Sequence, residues 1–245
     1  MHPDEYHKMA AAEDRLWYYR ALHGHVIRSV RSKGGAADGS LLDAGCGTGG
    51  LLRRLHAACP AMQLSGLDFS PVACALARQR TEAKISEGSI VAMPYADATF
   101  DVVVSCDVVC QVENDSHAVA EIFRCLKPGG IAVLTMPAYR WMYSYHDNAV
   151  SNLRRYSRDE LNSLLVASGF CVVTSTYWNM LLFPLVALRR KAFPPKHHES
   201  DVKMNSAPVE TLLNGIMQLE QGWLRVGGGM PFGNSVLTVA RKVTP

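Results

Sequence analysis

At 245 residues the chain is long enough to bury a sizeable core, and it fits one α/β domain with additions better than two full domains. A net charge of only +3 argues against a dedicated nucleic-acid binder, which would concentrate a basic face. The first residues, Met1-His2-Pro3-Asp4-Glu5, lack the basic-then-apolar pattern of a signal sequence, and no run approaches the ~18 apolar residues of a spanning helix. The seven cysteines form no C-x-x-C pair and lie in apolar contexts, so they read as buried thiols of a reducing, cytoplasmic compartment, with no metal site.

Residues Tyr6 to Arg31 have helix-forming composition, and Lys33 to Gly39 break it. The aromatic cluster Trp17-Tyr18-Tyr19 either docks this helix on the domain or makes it a lid, with Tyr19 or Arg20 facing a ligand. The stretch Leu41-Leu42-Asp43-Ala44-Gly45-Cys46-Gly47-Thr48-Gly49-Gly50 then reads as strand, tight turn and helix start. Its glycines let a ligand approach the main chain, and the helix start offers free N–H groups. A second strand, Met62 to Leu67, ends at Asp68, whose two oxygens suit the hydroxyls of a ribose; Ser70-Pro71 opens the next helix.

The glycine spacing alone is compatible with an NAD-dependent oxidoreductase. Asp43 shifts the balance. A carboxylate at the strand end repels a pyrophosphate and suits a cationic ligand such as S-adenosylmethionine (AdoMet), which carries a sulfonium and an ammonium but no phosphate.

A short third strand spans Lys84 to Ser89, Met93 to Thr99 is turn-rich, and Phe100 to Cys106 is a buried central strand with Asp107 at its carboxyl end. A helix from Ser116 to Leu126 stops at Lys127-Pro128-Gly129-Gly130, and Ile131 to Met136 is the fifth strand. This alternation implies a doubly wound parallel sheet.

The segment after it concentrates chemistry at the same end of the sheet as the glycine turn. It carries Tyr139, Trp141, Tyr145, His146, Asp147, Arg154, Arg155 and Tyr156, outside any clean period. Aromatics shape a pocket and a histidine moves protons near neutral pH, so the aromatics and arginines, with Trp17, are candidate substrate contacts. His146 is the candidate base, with Asp147 or another carboxylate orienting it and Tyr19 assisting.

Ser157 and Glu160 form a capping box for a helix to Ser168; Phe170 to Tyr177 is a sixth strand and Ser235 to Arg241 a seventh, expected antiparallel to the sixth and closing the sheet edge. Between them, Met180 to Leu188 is apolar and is followed by Arg189-Arg190-Lys191, which suits a lid, a dimer contact or a membrane-surface helix; Lys196 to Asn205, with His197-His198, reads as a linker.

Taken together, Leu42 to Gly49, Gly66-Leu67-Asp68-Phe69-Ser70, Met93-Pro94-Tyr95 with Phe100 to Val103, and Lys127 to Gly130 resemble the motifs of the class I AdoMet-dependent methyltransferases. Residues 13–20 and the run His146 to Tyr156 are similar to a bacterial subgroup that methylates small molecules. The resemblance implies a Rossmann-like, seven-stranded mixed sheet with an antiparallel last strand, an N-terminal helical lid (1–33), a core (40–177), a helical insertion (178–234) and a final strand (235–242). It also implies AdoMet contacts from Arg20, Asp43, Gly45, Cys46, Gly47, Asp68, Phe69, Ser89, Ile90, Cys106 and Asp107. Three positions depart from the family pattern: Ser89 replaces an acid beside the adenine, Gln111 a histidine after the fourth strand, and Asn152 a histidine of the subgroup. The expected activity is methyl transfer to O, N or C of a small, aromatic acceptor, by a monomer or homodimer. A non-catalytic AdoMet-binding protein with a docking helix is the alternative from another class.

Overall fold

The structure, a computed structural model, describes residues 3–34, 37–193 and 200–243. Expectations for His197-His198 and for the 196–199 part of the linker fall outside the described residues.

Seven strands form one sheet: β1 (Ser40–Ala44), β2 (Gln63–Asp68), β3 (Lys84–Glu87), β4 (Phe100–Cys106), β5 (Leu126–Pro137), β6 (Phe170–Trp178) and β7 (Ser235–Lys242). Their order is β3-β2-β1-β4-β5-β7-β6. The first five run parallel, and β7 is antiparallel to both neighbours. The last strand is therefore not at the edge: β7 inserts between β5 and β6, and β6 is the edge strand. The burial pattern explains the swap. Ser235 to Ala240 are all buried, as a strand with neighbours on both sides requires, whereas β6 exposes Cys171, Val173 and Thr174.

Alternate side chains of β4 feed the two faces of the sheet. Val102 and Val104 pack with helices α2 (Trp17–Lys33) and α3 (Gly50–Ala58), through Leu22, Val26, Leu51, Leu52 and Leu55. Val103 faces the other layer, where α5 (Asp115–Cys125) and α7 (Arg158–Ala167) contribute Val119, Ile122, Leu161 and Leu165. β1 continues to β2 on one side while its other neighbour is β4, so a crevice opens beyond the carboxyl ends of β1 and β4, where ligands of open α/β sheets bind.

The N-terminal segment forms two helices, not one: α1 (Pro3–Ala12) and α2 are separated by Glu13 to Leu16. The break comes from distant partners. Glu13 accepts from Thr48 Oγ1 and pairs with Arg80 of α4 (Pro71–Arg80), and Asp14 pairs with both Arg53 and Arg80.

The segment before α7 holds a single turn of 3-10 helix at Arg140–Met142 and the short α6 (Tyr145–Ala149). The insertion holds α8 (Phe183–Ala192) and α9 (Ala207–Arg225). Buried Glu220 of α9 accepts the main-chain N–H groups of Asn179, Met180 and Leu181, which fixes the approach to α8. Among the described residues no helix is long and apolar enough to cross a membrane.

Candidate active site

A cavity of about 370 Å³ occupies the crevice. Its floor is the turn after β1. Gly45 and Gly47 have φ of 93° and 52°, in the left-handed region. A Cβ at Gly45 would lie 2.2 Å from Val108, so glycine alone fits both the backbone and the space there; at Gly47 a Cβ would meet only the movable end of Met9 at 2.6 Å, and the left-handed backbone is what favours glycine.

The two acids expected of a cofactor site flank this turn. Asp68 is held by main-chain N–H groups, Gly47 donating to Oδ2 at 2.9 Å and Ser70 to Oδ1 at 3.0 Å, which leaves carboxylate lone pairs for a hydroxylated ligand. Asp43 is 2% exposed and lines the cavity. Burial, reinforced by Asp68 and Glu13, pushes its carboxyl up to about 8. An acid held in this state is compensated best by a cation from the ligand.

Asp107, at the end of β4, has φ of 57°, and burial raises its carboxyl against the pull of two hydrogen bonds, from Tyr18 (3.0 Å) and Thr135 (3.3 Å). The helical segment over the cavity contributes Tyr6, Met9 and Glu13 from α1 and the turn after it, and Trp17, Tyr18, Tyr19 and His23 from α2.

The sequence-expected residues divide. Asp43, Gly45, Cys46, Gly47, Asp68, Cys106, Asp107, Trp17, Tyr19, His146 and Arg155 all line the cavity. Arg20 is exposed and does not line it. Phe69 is 65% exposed and, with Ser89 and Ile90, lies outside the lining; Ile90 is spent in the core.

The aromatic stretch also divides. Tyr139 stacks on Tyr177 with ring centroids 5.2 Å apart, Trp141 stacks on Tyr139 at the surface, and Tyr156 donates to Asp115 at 2.7 Å. Arg154 pairs with Asp115 at 2.9 Å, and Arg154 and Tyr156 line a separate surface groove. Tyr145 is buried and donates to Asp201 at 2.7 Å. These five lie outside the cavity lining because ring stacking and acids from other elements claim them first.

Asp147 is not the partner of His146. Fully buried, it caps α6 by accepting from Ser144 N at 2.9 Å, and its other oxygen accepts from Arg155 Nε at 2.8 Å and Asn152 Nδ2 at 3.0 Å. Burial would raise its carboxyl, but Arg155 outweighs that and holds it below the usual range. His146 Nδ1 instead accepts from the main-chain N–H of Asp201 at 3.1 Å. Burial, with Arg190 nearby, pushes the ring down to about 4. The ring is therefore neutral with its hydrogen on Nε2. In this arrangement neither ring nitrogen is a free acceptor, which speaks against the base role expected from the sequence.

Four contributors escaped the sequence reading. Tyr18, not Tyr19, makes the hydrogen bond to the β4 acid; Tyr6 and Met9 come from a helix whose approach depends on the Glu13 break. Asn179, at the end of β6, is fully buried with φ of 59° and with neither amide atom hydrogen-bonded, and it lines the cavity. The only sequence signals were the neighbouring aromatics at 17–19 and the polar Asn179 closing an apolar strand.

A family profile described as "Methyltransferase domain" matches residues 42–134. The chain is 30% identical over 162 residues to a Mycolicibacterium smegmatis protein named "Probable S-adenosylmethionine-dependent methyltransferase", an alignment covering 65% of this chain and 61% of that one. It is 35% identical over 126 residues to a demethylmenaquinone methyltransferase of Deinococcus radiodurans, covering 49% of each. The chain thus spans about half to three fifths of the length of these relatives. In fold it is similar to a chain from the complex of the Haloferax volcanii Trm112 methyltransferase activator with a methyltransferase (TM-score 0.66, 20% identity, 98% of each chain), and to the [4+2]-cyclase SpnF (TM-score 0.60, 22% identity, 91% of this chain and 80% of that one). In its motif set, its sheet order and its glycine turn between two acids, the chain is similar to the S-adenosylmethionine-dependent methyltransferases, with a methyltransferase domain matched over residues 42–134.

Proposed function

We propose that this protein transfers a methyl group from AdoMet to a nucleophilic O, N or C atom of a small acceptor. The observation that carries the reading is the placement of buried Asp43 and main-chain-anchored Asp68 on either side of a turn that tolerates no Cβ at Gly45. Asp68 suits the ribose hydroxyls, Asp43 the cationic end, and Gly45 and Gly47 the close approach of the ligand to the backbone. AdoMet supplies an already activated methyl group, so the chain itself provides binding, orientation and exclusion of water, which contribute up to ~7–11 kcal/mol in favourable systems.

The helices over the cavity are built for this. Glu13 and Asp14 clamp them to Thr48, Arg53 and Arg80, and Tyr18 joins them to Asp107. Trp17, Tyr18 and Tyr19 in the lining favour a flat acceptor. His146 orients the acceptor as a hydrogen-bond donor.

The test is incubation of the protein and methyl-labelled AdoMet with a panel of small phenols, amines and carbon acids, followed by detection of labelled product and S-adenosylhomocysteine. Formation of both, abolished in Asp68→Ala, supports the proposal; S-adenosylhomocysteine binding without transfer to any acceptor supports a binding protein instead.

A further inference from the structure

The cavity is electrically two-ended. Glu13, Asp43 and Asp68 surround its glycine-turn end, whereas α8 and the segment after it bring Arg189, Arg190 and Lys203 to the other, where Asp201 lines the wall. Behind it, Glu5 is paired with Lys8 and bonded to Ser200, while Glu210 is spent on Asn205 and the main chain of Trp17. Asp201 is already engaged on both oxygens: Oδ1 accepts from Tyr145 and lies 3.5 Å from Arg189, and Oδ2 accepts from Arg190. Nearby Arg155 is neutralised by Asp147 and donates to the carbonyl of Ala138.

Arg190 is the informative side chain. It is 7% exposed, its Nε lies 2.9 Å and its Nη2 2.8 Å from Asp201 Oδ2, and its Nη1 is buried with no hydrogen-bond partner. A buried guanidinium N–H left unpaired costs free energy until an acceptor reaches it. The hydrogen on His146 Nε2 belongs to the same end, since His146 Nδ1 is fixed by the main chain of Asp201, the residue that holds Arg190. Lys203 lies at the same end and is exposed. This end thus gathers cationic donors around an unpaired guanidinium N–H.

We propose that this end of the cavity is an anion subsite, with Arg190 Nη1 as its principal donor, and that the acceptor carries a carboxylate or a phosphate. The assignment rests on the methyl-transfer reading above, which gives the cavity its donor and acceptor ends. The acceptor's aromatic body then lies along Trp17 and Tyr19 while its anion is clasped at α8, which sets its nucleophilic atom facing the donor. A bidentate or charge-assisted contact of this type both orients and selects.

Calorimetric titration of wild type, Arg190→Met and Lys203→Gln with benzoate, phenyl phosphate and neutral benzamide, each with and without saturating S-adenosylhomocysteine, tests it. At least one of the two anions is expected to bind wild type at least about tenfold more tightly than benzamide, and the stronger one identifies carboxylate or phosphate. Arg190→Met is expected to lose about tenfold or more of that affinity with S-adenosylhomocysteine affinity retained. Lys203→Gln, an exposed change that leaves Asp201 its partners, is expected to lose roughly threefold and decides the matter if Arg190→Met does not fold. Benzamide binding as well as the anions, no anion binding at all, or unchanged anion affinity in the folded variants overturns the proposal. So does a loss of S-adenosylhomocysteine affinity in Arg190→Met, which would assign this end to the donor's own carboxylate. Failure of the methyl-donor reading appears separately, as wild type that binds no S-adenosylhomocysteine.

Discussion

The hydroxyl of Tyr18 donates a 3.0 Å hydrogen bond to Asp107, joining the helix that covers the cavity to the end of the central strand beneath it. Tyr18 also packs on Trp178, with ring centroids 5.1 Å apart, so the contact ties three segments far apart in sequence. Tyr18→Phe leaves the ring packing and removes the donor. A buried carboxylate oxygen without its partner costs about 1–3 kcal/mol, and urea unfolding of the variant is expected to show a loss in that range.

With AdoMet placed as proposed, Asp43 makes cofactor binding pH-dependent. Its carboxyl sits at about 8 in the free protein, so below that pH it is largely protonated. A cationic ligand prefers the ionised form, and binding therefore releases a proton. Affinity for AdoMet is expected to rise with pH, by at most about tenfold per unit, between roughly pH 5.5 and 7, a window below the ~7.7–8.0 range of α-amino groups. Calorimetry in buffers of differing ionisation enthalpy measures the release. Asp43→Asn is expected to bind more weakly and to lose this dependence.

His25 shows how burial alone produces acid sensitivity. It is 2% exposed against Trp178, and burial, with Arg28, pushes its ring down to about 3. The unfolded chain takes up a proton as pH falls through ~6.5 while the folded protein does not, so the stability His25 permits is complete above that pH and is lost on acidification. Relative to His25→Phe, wild type is expected to lose about 1.4 kcal/mol per pH unit between 6.5 and 4 in denaturant titrations. A constant difference across that range would contradict the neutral, buried assignment.

Asp147 holds the cavity wall without entering it. Replacing it with Asn leaves the Arg155 guanidinium, 2% exposed, without its counter-charge. Loss of one member of a buried pair costs about 3–5 kcal/mol, so Asp147→Asn is expected to unfold earlier, and thermal denaturation compared with the surface change Arg158→Gln checks this.

Much of the fold was legible because it depends on local pattern. The run Leu41 to Gly50, the apolar Phe100 to Cys106 and the stop at Lys127 to Gly130 each carry their own signal, and β1, β4 and β5 form there. What escaped depends on partners distant in sequence. The break at Glu13 needs Thr48 and Arg80, the interior place of β7 needs β5, and the role of His146 needs Asp201, 55 residues away. Asp147 beside His146 suggested a catalytic pair, yet neighbours on a helix do not face one another, and Arg155 claims the acid. Of the described aromatics, those on the covering helices reach the cavity; after β5, Tyr139 and Trp141 stack on each other and on β6, while Tyr145 and Tyr156 are claimed by Asp201 and Asp115.

The central claim is that the acids flanking the glycine turn select AdoMet over a phosphate-bearing cofactor. Calorimetric titration of one preparation with AdoMet and with NAD, repeated for Asp68→Ala, tests it most directly. Saturable AdoMet binding, no detectable NAD binding and a loss of about a hundredfold or more in Asp68→Ala are expected, since that variant removes hydrogen bonds to a charged acceptor. Binding of NAD at comparable affinity, or AdoMet affinity indifferent to Asp68, would contradict it.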